Sequence, residues 1–213
     1  MESFLYPDQY HHIEQQLYRS VSAQANSIDQ GVIQAVQELA QEEIERTVRL
    51  ASPEQKQLLA NLSAIQDQED MRRFLQQLKQ YVIPFPIVSD KQLEKAFPKI
   101  KKLHTPAIDE LDRKEMVYWR WVDKGSGKTC ILIPKKEGKF TGIEGYQELS
   151  QQKGVCSICN GLEEVSLFTV KKKGQMRGMY SKKGNYICKN PEICNKNLTN
   201  IDSLYAFVDT LNA

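Results

Sequence analysis

The chain has 213 residues and a mass of 24.5 kDa, with 29 Lys+Arg against 27 Asp+Glu and 40% hydrophobic side chains. Near-neutrality singles out no partner, and no apolar run approaches the ~18 residues that a membrane helix needs. The total conceals an asymmetry: residues 1–95 carry nine basic and fourteen acidic side chains, net −5, and residues 96–213 carry twenty and thirteen, net +7. The opening MESFLYPDQYHH lacks the basic region and apolar core of a signal peptide. A cytosolic chain with reduced thiols is expected, so its five cysteines do not read as a disulfide set.

The first eighty residues are Gln-rich and helical in period, with Gly31 their only glycine. Pro7 suits a first helical turn, and Tyr10, Ile13, Leu17 and Val21 follow at spacings of three and four. A second helix starting near Ser27 is expected to bury a stripe of Ile28, Val32, Ala35, Leu39 and Val48. Ser52-Pro53-Glu54-Gln55 is a capping box with proline at the first helical position, and it precedes Leu58, Leu59, Leu62 and Ile65. Asp67 to Asp70 marks a fourth start, with Met71, Phe74, Leu75, Leu78 and Val82 as its apolar face. Four amphipathic helices with short connections predict an antiparallel bundle over residues 1–83.

The prolines of Ile83-Pro84-Phe85-Pro86-Ile87 break the helical period and place a junction there. A short helix capped by Ser89 and Gln92 and burying Leu93, Phe97 and Ile100 is expected next. After Pro106 the period changes, and strands are expected at Met116–Val122, Thr129–Ile133, Phe140–Tyr146, Val165–Val170 and Met179–Ile187. A last helix is expected from Thr199, with Asp202 completing its cap. The fold class is thus α+β in two domains, a helical bundle and a C-terminal α/β domain over 84–213.

Four cysteines lie in the last third of the chain as Cys156-Ser-Ile-Cys159, twenty-eight residues, then Cys188-Lys-Asn-Pro-Glu-Ile-Cys194. Zinc takes four soft ligands at tetrahedral corners, and a C-x2-C turn offers two thiols on one side of a tight backbone. Cys188 ends an expected strand and Cys194 is expected just before a helix. Knuckle, hairpin and helix in that order form a treble-clef finger over about 150–213. A redox C-x-x-C needs no second pair, and unliganded buried cysteines do not need this spacing. With four thiolates no coordination position is left for water, so one structural Zn2+ and no catalytic metal is expected.

Other features point to structure. Gly125-Ser-Gly127-Lys128-Thr129 resembles the end of a phosphate-binding loop, but Val122 stands where that loop needs its first glycine and a strand follows the lysine. A hairpin turn is expected there, and Cys130 is expected in the core. Trp119 and Trp121 alternate with Tyr118 and Arg120, so one aromatic face enters the core. No nucleophile–base pair emerges, and no enzymatic activity is expected. Lys171-Lys172-Lys173, Arg177, Lys182-Lys183 and Lys189 crowd the stretch between the ligand pairs. Such a hairpin suits a phosphate backbone, an acidic protein or plain solvation. Tyr186 shares a strand face with Cys188. Phe207 lies at the edge of the apolar arc of Ile201, Leu204, Tyr205, Val208 and Leu211, where partial exposure is expected.

The segments Gly154-Val-Cys-Ser-Ile-Cys-Asn160, Val165-Ser-Leu-Phe168, Lys182-Lys-Gly-Asn-Tyr-Ile-Cys188 and Cys194-Asn-Lys-Asn-Leu-Thr-Asn-Ile201, with Tyr6-Pro-Asp-Gln-Tyr10 and Tyr81-Val-Ile-Pro-Phe85, extend over nearly the whole chain. Together they resemble the elongation factor G-binding proteins of the fusidic-acid-resistance (FusB-type) family. The resemblance implies Zn2+ on Cys156, Cys159, Cys188 and Cys194, and a factor contact through Lys183, Tyr186 and Phe207. It further implies that the protein frees the factor from ribosomes on which fusidic acid has trapped it. A cytoplasmic monomer without membrane association is expected. The family can carry an aromatic contact before the first cysteine, where this chain has Val155, a loss of contact area. The alternative is a zinc-finger protein that binds ribosomal RNA or tRNA.

Overall fold

In the computed structural model, which describes residues 2–48, 52–59, 62–149, 152–173 and 180–212, helices begin where side chains can cap them. Contacts divide the chain into two compact units, Met1–Ile83 and Pro84–Ala213. In the first, α1 (Pro7–Asn26) opens on its proline and buries Tyr10, Ile13, Leu17 and Val21. Helix α2 (Gln30–Thr47) starts on Asp29, whose carboxylate accepts from the amides of Gly31 and Val32.

The buried side of α2 is not the expected stripe. Ile33, Ala40, Ile44 and then Val48 are buried, whereas Ile28, Val32 and Leu39 are 102%, 49% and 61% exposed. This helix carries two apolar arcs, and packing against α1 selects the Ile33–Ile44 arc. The third helix is also shorter than its pattern. The Ser52 capping box forms, but α3 (Pro53–Leu58) stops before Leu59, and Leu62–Ala64 make a separate 3-10 turn. Asp67 caps α4 (Gln68–Leu78), which buries Leu75 and Leu78. A bridge between Leu5 and Val82 ties the N-terminus to the end of the unit.

In the second unit α5 (Asp90–Ala96) carries the Ser89–Gln92 capping box and buries Leu93, with Phe97 buried just beyond. Six strands follow: β1 (Trp119–Val122), β2 (Thr129–Pro134), β3 (Phe140–Gln147), β4 (Gln152–Val155), β5 (Leu162–Lys173) and β6 (Tyr180–Cys188). They pair antiparallel in the order β1-β2-β3-β5-β4, with β6 on the other side of β5. The twelve residues of β5 serve three neighbours: Leu162–Val165 pair with β4, Phe168–Thr169 with β3, and Val165–Lys173 with β6. Two short elements escape sequence reading, β4 and α6 (Pro191–Asn197); the last helix is α7 (Ile201–Asn212). Asn200 rather than Thr199 caps α7, accepting from the Asp202 amide at 2.8 Å.

Both faces of β1 are buried. Trp119 and Trp121, 4.4 Å apart between ring centroids, pack with Cys130, Leu132 and Phe97 in one core. On the opposite face, where Arg120 stands opposite Ile131, Tyr118 just before the strand joins Ile131, Ile133, Phe168, Leu204, Phe207 and the four cysteines in a second. A strand covered on both sides reads as a continuous apolar run, as MVYWRWV does. Gly142 lets α5 approach the sheet, since any Cβ there meets the Ala96 carbonyl. The loop 123–128 is the expected hairpin turn: Asp123 N–H donates to Lys128 O at 2.8 Å, and Gly127 takes φ 67°. Cys130 is fully buried, and burial first, then the nearby carboxylates of Asp123 and Glu144, push its thiol up to about 12.

Candidate metal centre

The first ligand pair sits in a knuckle between β4 and β5. Asn160 N–H donates to Cys156 O at 2.8 Å and Cys156 N–H to Gly161 O at 2.9 Å, closing a tight loop in which Asn160 takes the left-handed φ of 58°. Ser157 N–H donates to Tyr186 O at 2.8 Å and ties the knuckle to β6. The second pair comes from the end of β6 and from α6. Asn190 accepts from Glu192 and Ile193 amides, and Pro191 takes the first helical position. Cys194 thus lies inside α6 rather than before a helix, because Asn190-Pro191 starts a short helix there.

All four cysteines are buried, and their sulfurs lie within 4.8 Å of one another. Cys156 and Cys194 sulfurs are 3.6 Å apart, as are those of Cys159 and Cys188. Zinc–sulfur bonds of about 2.3 Å at tetrahedral corners set sulfurs about 3.8 Å apart, so the cluster fits the ion. The amides of Ile158 and Cys188 donate to Cys156 Sγ at 3.4 and 3.2 Å. Left to themselves, four sulfurs this close do not ionise together. Cys156 is held low by the neighbouring thiols of Cys159, Cys188 and Cys194, while the Cys156 and Cys159 sulfurs push Cys188 and Cys194 up. A divalent cation removes that conflict by stabilising every thiolate.

Two residues that sequence reading did not single out hold the centre in the fold. Buried Asn195 accepts from the amides of Val117 (2.7 Å) and Tyr118 (3.0 Å) through Oδ1 and donates to Pro191 O, fastening α6 to the start of β1. Tyr118 itself is fully buried beside Cys194, and burial raises its pKa well above the ordinary value. The only sequence signal for either was position, next to a ligand or in an aromatic strand.

Residues 4–86 match the family described as elongation factor G-binding protein, N-terminal, and residues 96–204 match the FBP C-terminal treble-clef zinc-finger. The chain belongs to the elongation factor G-binding protein family. A solved structure described as "Structure of the fusidic acid resistance protein FusC" is similar, with 30% sequence identity and a TM-score of 0.85 over 97% of this chain and 96% of that one. No curated protein matches the chain. The family's zinc finger and the four-sulfur cluster agree on one zinc ion, which Cys156, Cys159, Cys188 and Cys194 are positioned to hold.

The other three candidate residues do not share one face. Tyr186 is 40% exposed and Lys183 half-buried, but three residues apart on a strand they project from opposite sides of the β5–β6 ribbon. Phe207, expected to be partly exposed, is 2% exposed and lies 6.3 Å from the Phe168 ring. The cause is that α7 buries a wider arc than its apolar stripe, because Phe168 of β5 covers the helix flank. An exposed apolar pair lies at the finger instead, Val155 opposite Leu162, 61% and 71% exposed.

The ribbon is basic. The stretch 165–191 has seven Lys and Arg and no acid, and Lys171 stands directly opposite Lys182. None of the ion pairs among the described residues involves Lys171, Lys182, Lys183 or Lys189. Arg177 and the ribbon tip 174–179 lie outside the described residues. No helix among the described residues is long and apolar enough to cross a membrane.

Proposed function

We propose that the protein binds elongation factor G as a cytosolic monomer and promotes its release from the ribosome, acting by binding and without chemistry of its own. The observation that carries this reading is the likeness to a fusidic acid resistance protein across both units, zinc finger included. Zinc supplies rigidity: it joins knuckle, ribbon and α6, so that the side chains around it are presented without a further ordering cost on binding. Exposed Tyr186 and the Val155–Leu162 pair offer apolar anchors, and the lysines steer the encounter. Release follows if the protein favours a factor conformation of low ribosome affinity, which it can do only by binding that conformation better. Phe207 supports this surface from beneath rather than touching the partner.

The test is sedimentation of ribosomes carrying factor trapped by fusidic acid. Added zinc-loaded protein is expected to move the factor into the supernatant, and a factor that stays with the ribosomes despite binding the protein overturns the release step. The basic ribbon also favours a second reading, contact with RNA. That reading predicts RNA affinity with a steep salt dependence in the absence of any factor.

A further inference from the structure

Two buried polar atoms near the metal centre, the Tyr118 hydroxyl and Nη1 of Arg120, find no oxygen or nitrogen partner among the described residues. Tyr118 lies immediately before β1 and Arg120 two residues on within it, and both lie on the side of Ile131. Tyr118 packs in the same buried cluster as all four cysteines, with its hydroxyl beside Cys194. Arg120 is 6% exposed, stands opposite Ile131 of that cluster, and donates through Nη2 to the carbonyl of Lys189, the residue after Cys188, at 3.1 Å.

A buried guanidinium is costly unless a counter-charge accompanies it. None of the ion pairs among the described residues involves Arg120. The cysteine cluster offers that charge, since four thiolates on one Zn2+ leave a net formal charge of −2 inside the core.

We propose that Tyr118 and Arg120 form the outer shell of the zinc centre: the Tyr118 hydroxyl donates a hydrogen bond to Cys194 Sγ, and the Arg120 guanidinium is the buried counter-charge of the tetrathiolate. Both are positioning residues. A donor at the sulfur and a cation within the same core draw electron density away from the thiolates, which lowers their basicity and the repulsion among them. The edge of the sheet at β1 is thereby connected to the metal electrostatically, while Asn195 connects it by hydrogen bonds from the amides of Val117 and Tyr118 just before the strand. The assignment rests on the zinc centre alone and is independent of factor binding.

The test uses the full-length protein loaded with Co2+ or Zn2+. Tyr118→Phe and Arg120→Gln are each expected to move the sulfur-to-cobalt charge-transfer band to lower energy while the tetrahedral d–d bands stay in place. Zinc affinity, read by competition with a chromogenic chelator, is expected to fall about tenfold or more. Arg120→Lys, which keeps the charge, is expected to restore much of that affinity. Tyr118→Phe removes one oxygen and keeps the ring, so it carries the test even if Arg120→Gln does not fold. A Tyr118→Phe protein with unchanged charge-transfer energy and zinc affinity overturns the hydrogen bond. Arg120→Lys and Arg120→Gln with equal losses overturn the counter-charge, because a packing role follows shape and not charge.

Discussion

Phe207→Ala separates a core residue from a contact residue. The ring is 2% exposed and faces Phe168, itself fully buried, in the core that also holds Leu204, Val208 and the zinc ligands. Removing it gives up about 1.5–3 kcal/mol of transfer free energy. Phe168 sits on the central strand β5 and cannot collapse into the space, so a cavity contribution raises the loss to about 3–5 kcal/mol. For a unit of this size that corresponds to a fall in melting temperature of roughly 10–20 °C. The assay is urea or thermal unfolding followed by a signal from the C-terminal unit, with zinc content and factor binding measured on the same samples well below the transition. The expected result is a much lower midpoint, with binding largely retained in whatever fraction stays folded. An unchanged midpoint together with lost binding refutes the packing argument and places Phe207 at the interface.

Zinc should be integral to the fold. One ion per chain is expected by elemental analysis, and removing it by chelation or Cys156→Ser should forfeit on the order of 10 kcal/mol. Retention of amide protection along β5 and β6 after chelation contradicts this. Asn195→Ala leaves the buried amides of Val117 and Tyr118 without acceptors. The expected loss is about 2–5 kcal/mol, with faster hydrogen exchange at those two amides, and unchanged exchange there overturns it. Asp123 supplies a pH test. Burial opposes its ionisation, but hydrogen bonds from the Ser126 hydroxyl and from the His104 and Ser126 amides prevail and hold it at about 2. With the folded pKa below the unfolded one, its stabilisation is present above about pH 4 and is lost as pH falls towards 2. The Asp123 carboxyl carbon should titrate well below an ordinary aspartate, and an NMR midpoint near 4 contradicts the assignment.

The parts of this fold written in short-range chemistry were legible in the sequence. Ser52, Asp67 and Ser89 cap helices because their side chains meet amides two or three residues away. Cys156, Cys159, Cys188 and Cys194 stood out because coordination imposes spacing, and they come together as expected. What depends on a distant neighbour was not legible. Helix α2 carries two apolar arcs, and only the presence of α1 decides that Ile33 and Ile44 go in while Val32 and Leu39 stay out. The depth of Phe207 is decided by Phe168, thirty-nine positions earlier. Strand β4 is four residues with one large apolar side chain, Val155, and it exists because β5 is long enough to pair with it. The factor contact that the resemblance implies joins Lys183 and Tyr186, and the two-residue repeat of a strand sets them on opposite faces.

The most direct test of the account is calorimetric titration of zinc-loaded protein into purified elongation factor G, with Tyr186→Ala and a matched RNA oligomer as companion titrations. Saturable one-to-one binding at micromolar concentration or tighter is expected, weaker for Tyr186→Ala, with little RNA affinity at physiological salt. Folded, zinc-loaded protein that gives no heat with the factor yet binds the RNA contradicts it.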